Sequence, residues 1–180
     1  MSKAIADLLN EHEAISSAIR ILECMMDAMK KAPVVDTTDI RAFIGFLKEF
    51  ADKCHHGKEE EFLFPAMEAA GVPNEGGPIG VLLAEHAQGR QLIREMEESI
   101  APDVDRTKLA RAAGQYAVLL RVHIRKENTV LFPMAEQMLT EAQLEKLYAG
   151  FEEHEEKVIG QGRHEELHAV LKSLQEKYPG

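Results

Sequence analysis

Apolar positions recur every three or four residues along most of the chain, the period of a helix with one buried face. Ile5, Leu8, Leu9, Ile15, Ile19 and Leu22 set the first such stretch, which predicts a helix from about Ser2 to Lys31 that stops before Pro33. Asp36, Thr37, Thr38 and Asp39 supply N-cap chemistry for a second helix running to about Ala70. The segment GVPNEGGPIG, from Gly71 to Gly80, reads as a loop. A third helix follows from about Ile79 to Ile100, and Pro102 and Asp103 punctuate. Asp105 caps a fourth helix reaching about Leu139. Thr140 and Gln143 have capping-box spacing for a fifth, which can continue to Tyr178 with a break near Gly160 or Gly162. Short connections between the first four make antiparallel neighbours. The expected fold is therefore all-α: an up-down-up-down four-helix bundle over residues 1–139, with a C-terminal helical extension, residues 140–180, packed on or beside it.

Composition agrees with helix over sheet, since Ala, Leu, Glu, Lys, Met and Arg dominate and Trp is absent. At 180 residues the chain suits one domain that needs no disulfides. A formal charge of −10 argues against a nucleic-acid partner, which clustered Lys and Arg would have to hold. No apolar run approaches the roughly 18–20 residues that span a bilayer, so no membrane partner is expected. The acidic, amphipathic start is unlike a secretory signal, and Cys24 and Cys54 read as small apolar residues in a reducing compartment. A cytoplasmic location follows as the expectation.

The chain also repeats itself. Leu8-Leu9-Asn10-Glu11-His12 in the first helix matches Leu82-Leu83-Ala84-Glu85-His86 in the third. His55-His56-Gly57-Lys58-Glu59-Glu60, followed by Leu63-Phe64-Pro65, matches His123-Ile124-Arg125-Lys126-Glu127-Asn128, followed by Leu131-Phe132-Pro133. Each half is thus a helical hairpin with a lone His on one helix and His-x-x-x-Glu on the next. Residues four apart share a helix face, so His55 with Glu59, and His123 with Glu127, each aim two donors at one centre. At ~1.5 Å per residue, His12 and His55 both lie roughly 28 Å from their turn, and His86 and His123 are at comparable heights.

Four imidazoles and two carboxylates buried in one layer are costly without a cation. A pair of divalent ions offsets that cost, and mixed imidazole and carboxylate donors favour a first-row transition metal over Mg²⁺ or Ca²⁺. Iron is the first choice, with manganese and zinc behind it. His56 and Glu60 share the four-residue spacing and form a register alternative, but the repeat aligns His55, not His56, with His123; His56 and Glu60 then line the site. Lys58 and Lys126 match across the repeat and read as solvated or ion-paired. Met25, Met26 and Met29 read as core, and His164 with His168 as a solvated pair. Pro65 and Pro133 should bend or end their helices just beyond the ligands. No residue in the repeat resembles an activated nucleophile, so no catalytic side chain is assigned.

On these motifs the chain resembles the hemerythrin-like family of HHE cation-binding bundles, over about residues 5–138. The resemblance implies a non-haem centre of two iron ions, oxo- or hydroxo-bridged when oxidised, held by His12, His55, Glu59, His86, His123 and Glu127. It implies handling of a small ligand such as O₂, NO or peroxide. Oxygen-carrying members have a further His one turn after the third-helix His; here that residue is Arg90. The pattern is closer to bacterial members linked to nitrosative and oxidative stress, sensing or iron–sulfur repair. An electron donor or a homodimer partner is compatible with the fifth helix. So is a second role, a non-catalytic iron or redox sensor, or an iron donor, read by a protein partner.

Overall fold

The helical periodicity is realised almost throughout in the computed structural model, which describes residues 1–31, 36–160 and 162–179. Helix α1 spans Lys3–Lys31. The stop expected at Pro33 lies outside the described residues. The second bundle helix is continuous but changes pitch. It begins as α2 (Thr37–Phe46), passes through π-helical turns at Leu47–His56 and Glu59–Leu63, and ends as α3 (Phe64–Ala69). After the loop come α4 (Pro78–Glu98) and α5 (Arg106–Lys126), the latter extended by a π-helical turn at Glu127–Leu131 and by α6 (Phe132–Met138). The anticipated caps are present: Asp36 accepts from the Thr38 amide and Asp105 from the Lys108 amide, and Thr140 and Gln143 form a reciprocal capping box.

Pro65 and Pro133 do not end their helices. A helical Pro has no N–H to donate, and its ring clashes with the carbonyl four residues earlier. Here the turn before each Pro is widened, so that the Phe64 amide reaches back five residues to the Glu59 carbonyl and the Phe132 amide to that of Glu127. Each widened turn therefore begins at a glutamate that the repeat had singled out.

The C-terminal extension is two helices, not one. Helix α7 (Glu141–Val158) and α8 (Arg163–Lys177) are separated by a turn in which Gly160 and Gly162 have φ of 89° and 81°. Both pack on the first hairpin: α7 against α1 and the π-helical turns, α8 against α2 and α1. His164 is half-buried and stacks on Phe50 at 5.4 Å between centroids, while His168 is exposed as expected. Met25, Met26, Met29 and Cys54 are buried, whereas Cys24 is only half-buried.

The apolar interior forms two clusters. One joins Ile15–Met29 of α1 to Phe43, Phe50, Met96, Tyr116 and α8; the other joins Ile5 and Leu8 to Leu63, Phe64, Leu82, Leu131, Phe132 and the α7 residues Leu144, Leu147 and Phe151. Between them lies a buried polar layer containing His12, His55, His56, Glu59, His86, His123 and Glu127.

Helix α7 seats His154 directly on Gly57, and its Nε2 donates to the Lys53 carbonyl at 2.9 Å. A Cβ at position 57 would stand 2.5 Å from that nitrogen. Gly57→Ala should therefore displace His154 and destabilise the fold by about 1–3 kcal/mol, the usual cost of overpacking. Urea unfolding of the purified variant measures this, and an unchanged midpoint would contradict the packing described.

Candidate metal centre

The four histidines of the repeat are at most 2% exposed, and Glu59 and Glu127 are fully buried. Their ring nitrogens meet in pairs. His12 Nε2 lies 2.9 Å from His55 Nε2, and His86 Nε2 lies 3.1 Å from His123 Nε2. The two carboxylates stand between these pairs. Glu59 turns Oε1 to His55 at 3.7 Å and Oε2 to His86 at 3.4 Å. Glu127 turns Oε2 to His12 at 3.2 Å and Oε1 to His123 at 3.1 Å. Each carboxylate thus faces both histidine pairs.

The other ring nitrogen of every histidine is tied down from behind. His55 Nδ1 is 2.8 Å from Glu11 Oε2, and His123 Nδ1 is 3.0 Å from Glu85 Oε2. His86 Nδ1 is 2.7 Å from Glu60 Oε1, and His12 Nδ1 is 2.6 Å from Asn128 Oδ1. A carboxylate or amide oxygen only accepts, so each Nδ1 carries the proton and donates. In the neutral rings every Nε2 is then a bare lone pair aimed inward. Two such lone pairs about 3 Å apart repel unless a cation or a proton stands with them. The carboxylates pose the same problem, because among the described residues none of the four oxygens of Glu59 and Glu127 receives a hydrogen bond of good geometry.

These donors fit transition-metal ions. Donors at right angles on an ion bound at about 2.1 Å stand about 3 Å from one another, the spacing of the His12–His55 and His86–His123 nitrogen pairs. Two sets of four donors can be drawn: His12, His55, Glu59 and Glu127, and then His56, Glu59, His86 and His123. Carboxylate-held Nδ1–H groups are also the arrangement that orients metal-ligating histidines and raises their basicity.

The repeat extends outward from the ligands. Lys58 Nζ donates to Glu11 Oε1 at 2.7 Å, and Lys126 is paired with Glu85 in the equivalent place. Lys58 is 1% exposed and also meets Asp7 at 2.8 Å and Glu155 of α7 at 3.1 Å. Burial alone would raise the Glu11 pKa, but His55 and Lys58 overcome it and hold the carboxyl at about 2. Lys58 itself is pushed up, since its acidic partners outweigh burial. Arg90 binds the carboxylates behind the site: Nε to Asp52 and Nη2 to Glu60, both at 2.7 Å.

All six residues predicted from the repeat come together, with His56 beside them and Glu60 behind His86. Sequence reasoning passed over Glu11, Glu85 and Asn128 as functional residues. Their signal was present in the repeated Glu-His pair and in the residue that follows each buried glutamate.

Glu11→Gln should weaken metal binding about ten- to a hundredfold at unchanged helicity, because it loosens His55 without touching a donor. Competition with a chelator reads this, and Glu13→Gln, exposed on the same helix, should have no effect. The metal-free protein should also respond to pH. Burial disfavours charged His86, but Glu59 and Glu60 outweigh it and raise its pKa from 6.5 to about 9. A raised folded-state pKa contributes stability that is full below pH 6.5 and lost as pH rises through about 9. The metal-free chain should accordingly lose thermal stability across that window, while metal affinity rises as protons leave the ligands. Thermal melts with and without chelator should diverge with rising pH; a constant gap would contradict this account.

Comparison with known proteins agrees with the geometry. Residues 3–135 match the hemerythrin HHE cation-binding domain. Over 88 residues, 45% of this chain and 40% of the relative, it is 33% identical to the iron-sulfur cluster repair protein YtfE of Musicola paradisiaca. The corresponding protein of Yersinia pestis (strain Pestoides F) is 34% identical over the same lengths. An uncharacterized protein of Mycobacterium tuberculosis (strain H37Rv) is 24% identical over 163 residues, 86% of this chain and 62% of that one. The chain thus spans less than two thirds of these relatives, and no solved structure is a significant match. With four inward-facing imidazoles and two carboxylates on the helices that the family match covers, the chain belongs to the hemerythrin HHE cation-binding family.

Proposed function

We propose that the protein holds two iron ions, which His12, His55, His86 and His123 with Glu59 and Glu127 between them would hold, and handles a small ligand, O₂, NO or peroxide, in defence against oxidative or nitrosative stress or in iron–sulfur repair. One observation carries this reading: each carboxylate presents one oxygen to each of two histidine pairs, and none of those oxygens has a hydrogen-bond donor. A single ion leaves half of those donors unsatisfied. The stress and repair role is supported by the relatives whose names include iron–sulfur cluster repair. Histidine and carboxylate donors suit iron, with manganese next and zinc third.

Iron bound here would supply Lewis acidity and one-electron redox chemistry. The chain's own contribution is positional. His12, His55, His86 and His123 are locked in one tautomer by Asn128, Glu11, Glu60 and Glu85. Phe132 stacks on His12 at 5.2 Å and Phe64 on His86 at 5.8 Å, closing the layer toward the α7 end with apolar rings that exclude water. A cytoplasmic setting with an external electron donor completes the proposal; no described helix is long and apolar enough to cross a membrane.

A second reading is a sensor or iron donor. It is favoured by the chain of contacts from His55 through Glu11 and Lys58 to Glu155, which couples the metal layer to the C-terminal extension. Metal analysis and the near-UV and visible spectrum of untagged protein test the common core. About two irons per chain, with absorption bands bleached by reductant, are expected. Zinc alone, or no bands after anaerobic iron loading, would overturn the di-iron reading. Turnover of NO or peroxide would then support the first role, and a metal-dependent change in oligomer or partner affinity without turnover the second.

A further inference from the structure

The two halves of the metal layer match at every donor but one. His56 follows His55 in the first hairpin; the residue that follows His123 in the second is Ile124. His56 is 3% exposed, and its Nε2 is buried with no hydrogen-bond partner among the described residues. Its ring lies flat against His86, with centroids 3.9 Å apart and planes 17° apart, and edge-on to His123 at 5.6 Å. His56 falls in one group with Glu59, His86 and His123, whose candidate donor atoms lie within 4.8 Å of one another. Behind the ring, Nδ1 faces Asp52 Oδ1 at 3.4 Å, and Asp52 is itself held by Arg90. A structural role for His56 would leave a buried imidazole nitrogen unpaired for nothing, at a cost of about 1–3 kcal/mol.

We propose that His56 is a third imidazole donor at the His86–His123 position, so that the centre has one three-histidine and one two-histidine metal position. The inference rests on the dinuclear reading above. Arg90 fixes Asp52 and Glu60, the carboxylates behind His56 and His86. An extra neutral donor strengthens one position without adding charge, so the positions fill in sequence, the three-histidine one first.

Anaerobic titration of metal-stripped full-length protein with Co²⁺, followed by competition with a chelator and by visible absorption, tests this. The wild-type chain should take up two ions in two resolved steps. His56→Ile, which writes the residue of the second hairpin into the first, should weaken the tighter step by more than about tenfold and leave the other in place, since even an outer partner of a ligand is worth about ten- to a hundredfold. Ile124→His should strengthen the weaker step and bring the two together. Where His56→Ile fails to fold, Ile124→His decides. Two unchanged steps in either folded variant would overturn the role of His56. A wild-type chain that takes up only one ion would fail at the earlier stage, sinking the dinuclear reading and this inference with it.

Discussion

Everything in the bundle is arranged around one electrostatic problem: lone pairs and carboxylate charge converging in an interior that offers them no donor. Effective desolvation costs are several kcal/mol per buried ion. The fold meets this by confining the problem to a single layer between two apolar clusters. The converging side chains come from four helices, each contributing only the one to three positions that face that layer. A cation within it turns the mutual repulsion of the donors into attraction, and the outer contacts fix where the donors point.

Those outer contacts follow the internal repeat. The glutamate before each lone histidine braces the histidine of the neighbouring helix, and a lysine braces that glutamate. The residue after each buried glutamate of the layer, Glu60 or Asn128, reaches across to the lone histidine of the opposite hairpin. Two copies of a hairpin thus interlock, each orienting ligands of the other. The widened turns at Glu59 and Glu127 have the same duplicated origin, since each precedes a proline.

Much of this was legible in the sequence because it is local or repeated. His55 with Glu59, and His123 with Glu127, declare a shared face by spacing alone, and the second copy removes most chance readings. The caps at Asp36, Asp105 and Thr140 are equally local. What periodicity cannot carry is contact between helices. Glu11 and Glu85 look like ordinary polar neighbours of a histidine, because successive residues on a helix point about 100° apart; their partners lie on another helix. Gly57 gives no hint that His154, far along the chain, rests on it. The prolines announced a disturbance but not its form, since the same residue can end, kink or widen a helix according to what packs around it.

The extension formed by α7 and α8 covers one hairpin and leaves its twin bare, and this gives the metal layer a dry flank and a wet one. Lys58 is sealed beneath α7 at 1% exposure, whereas its counterpart Lys126 has 41% of its side chain in solvent. Field lines from the two ammonium groups therefore run through different media: low dielectric on the His55 side, screened by water and salt on the His123 side. A duplicated architecture has in this way acquired a polarity. Dissolved salt therefore screens the Lys126 ammonium far more than that of Lys58.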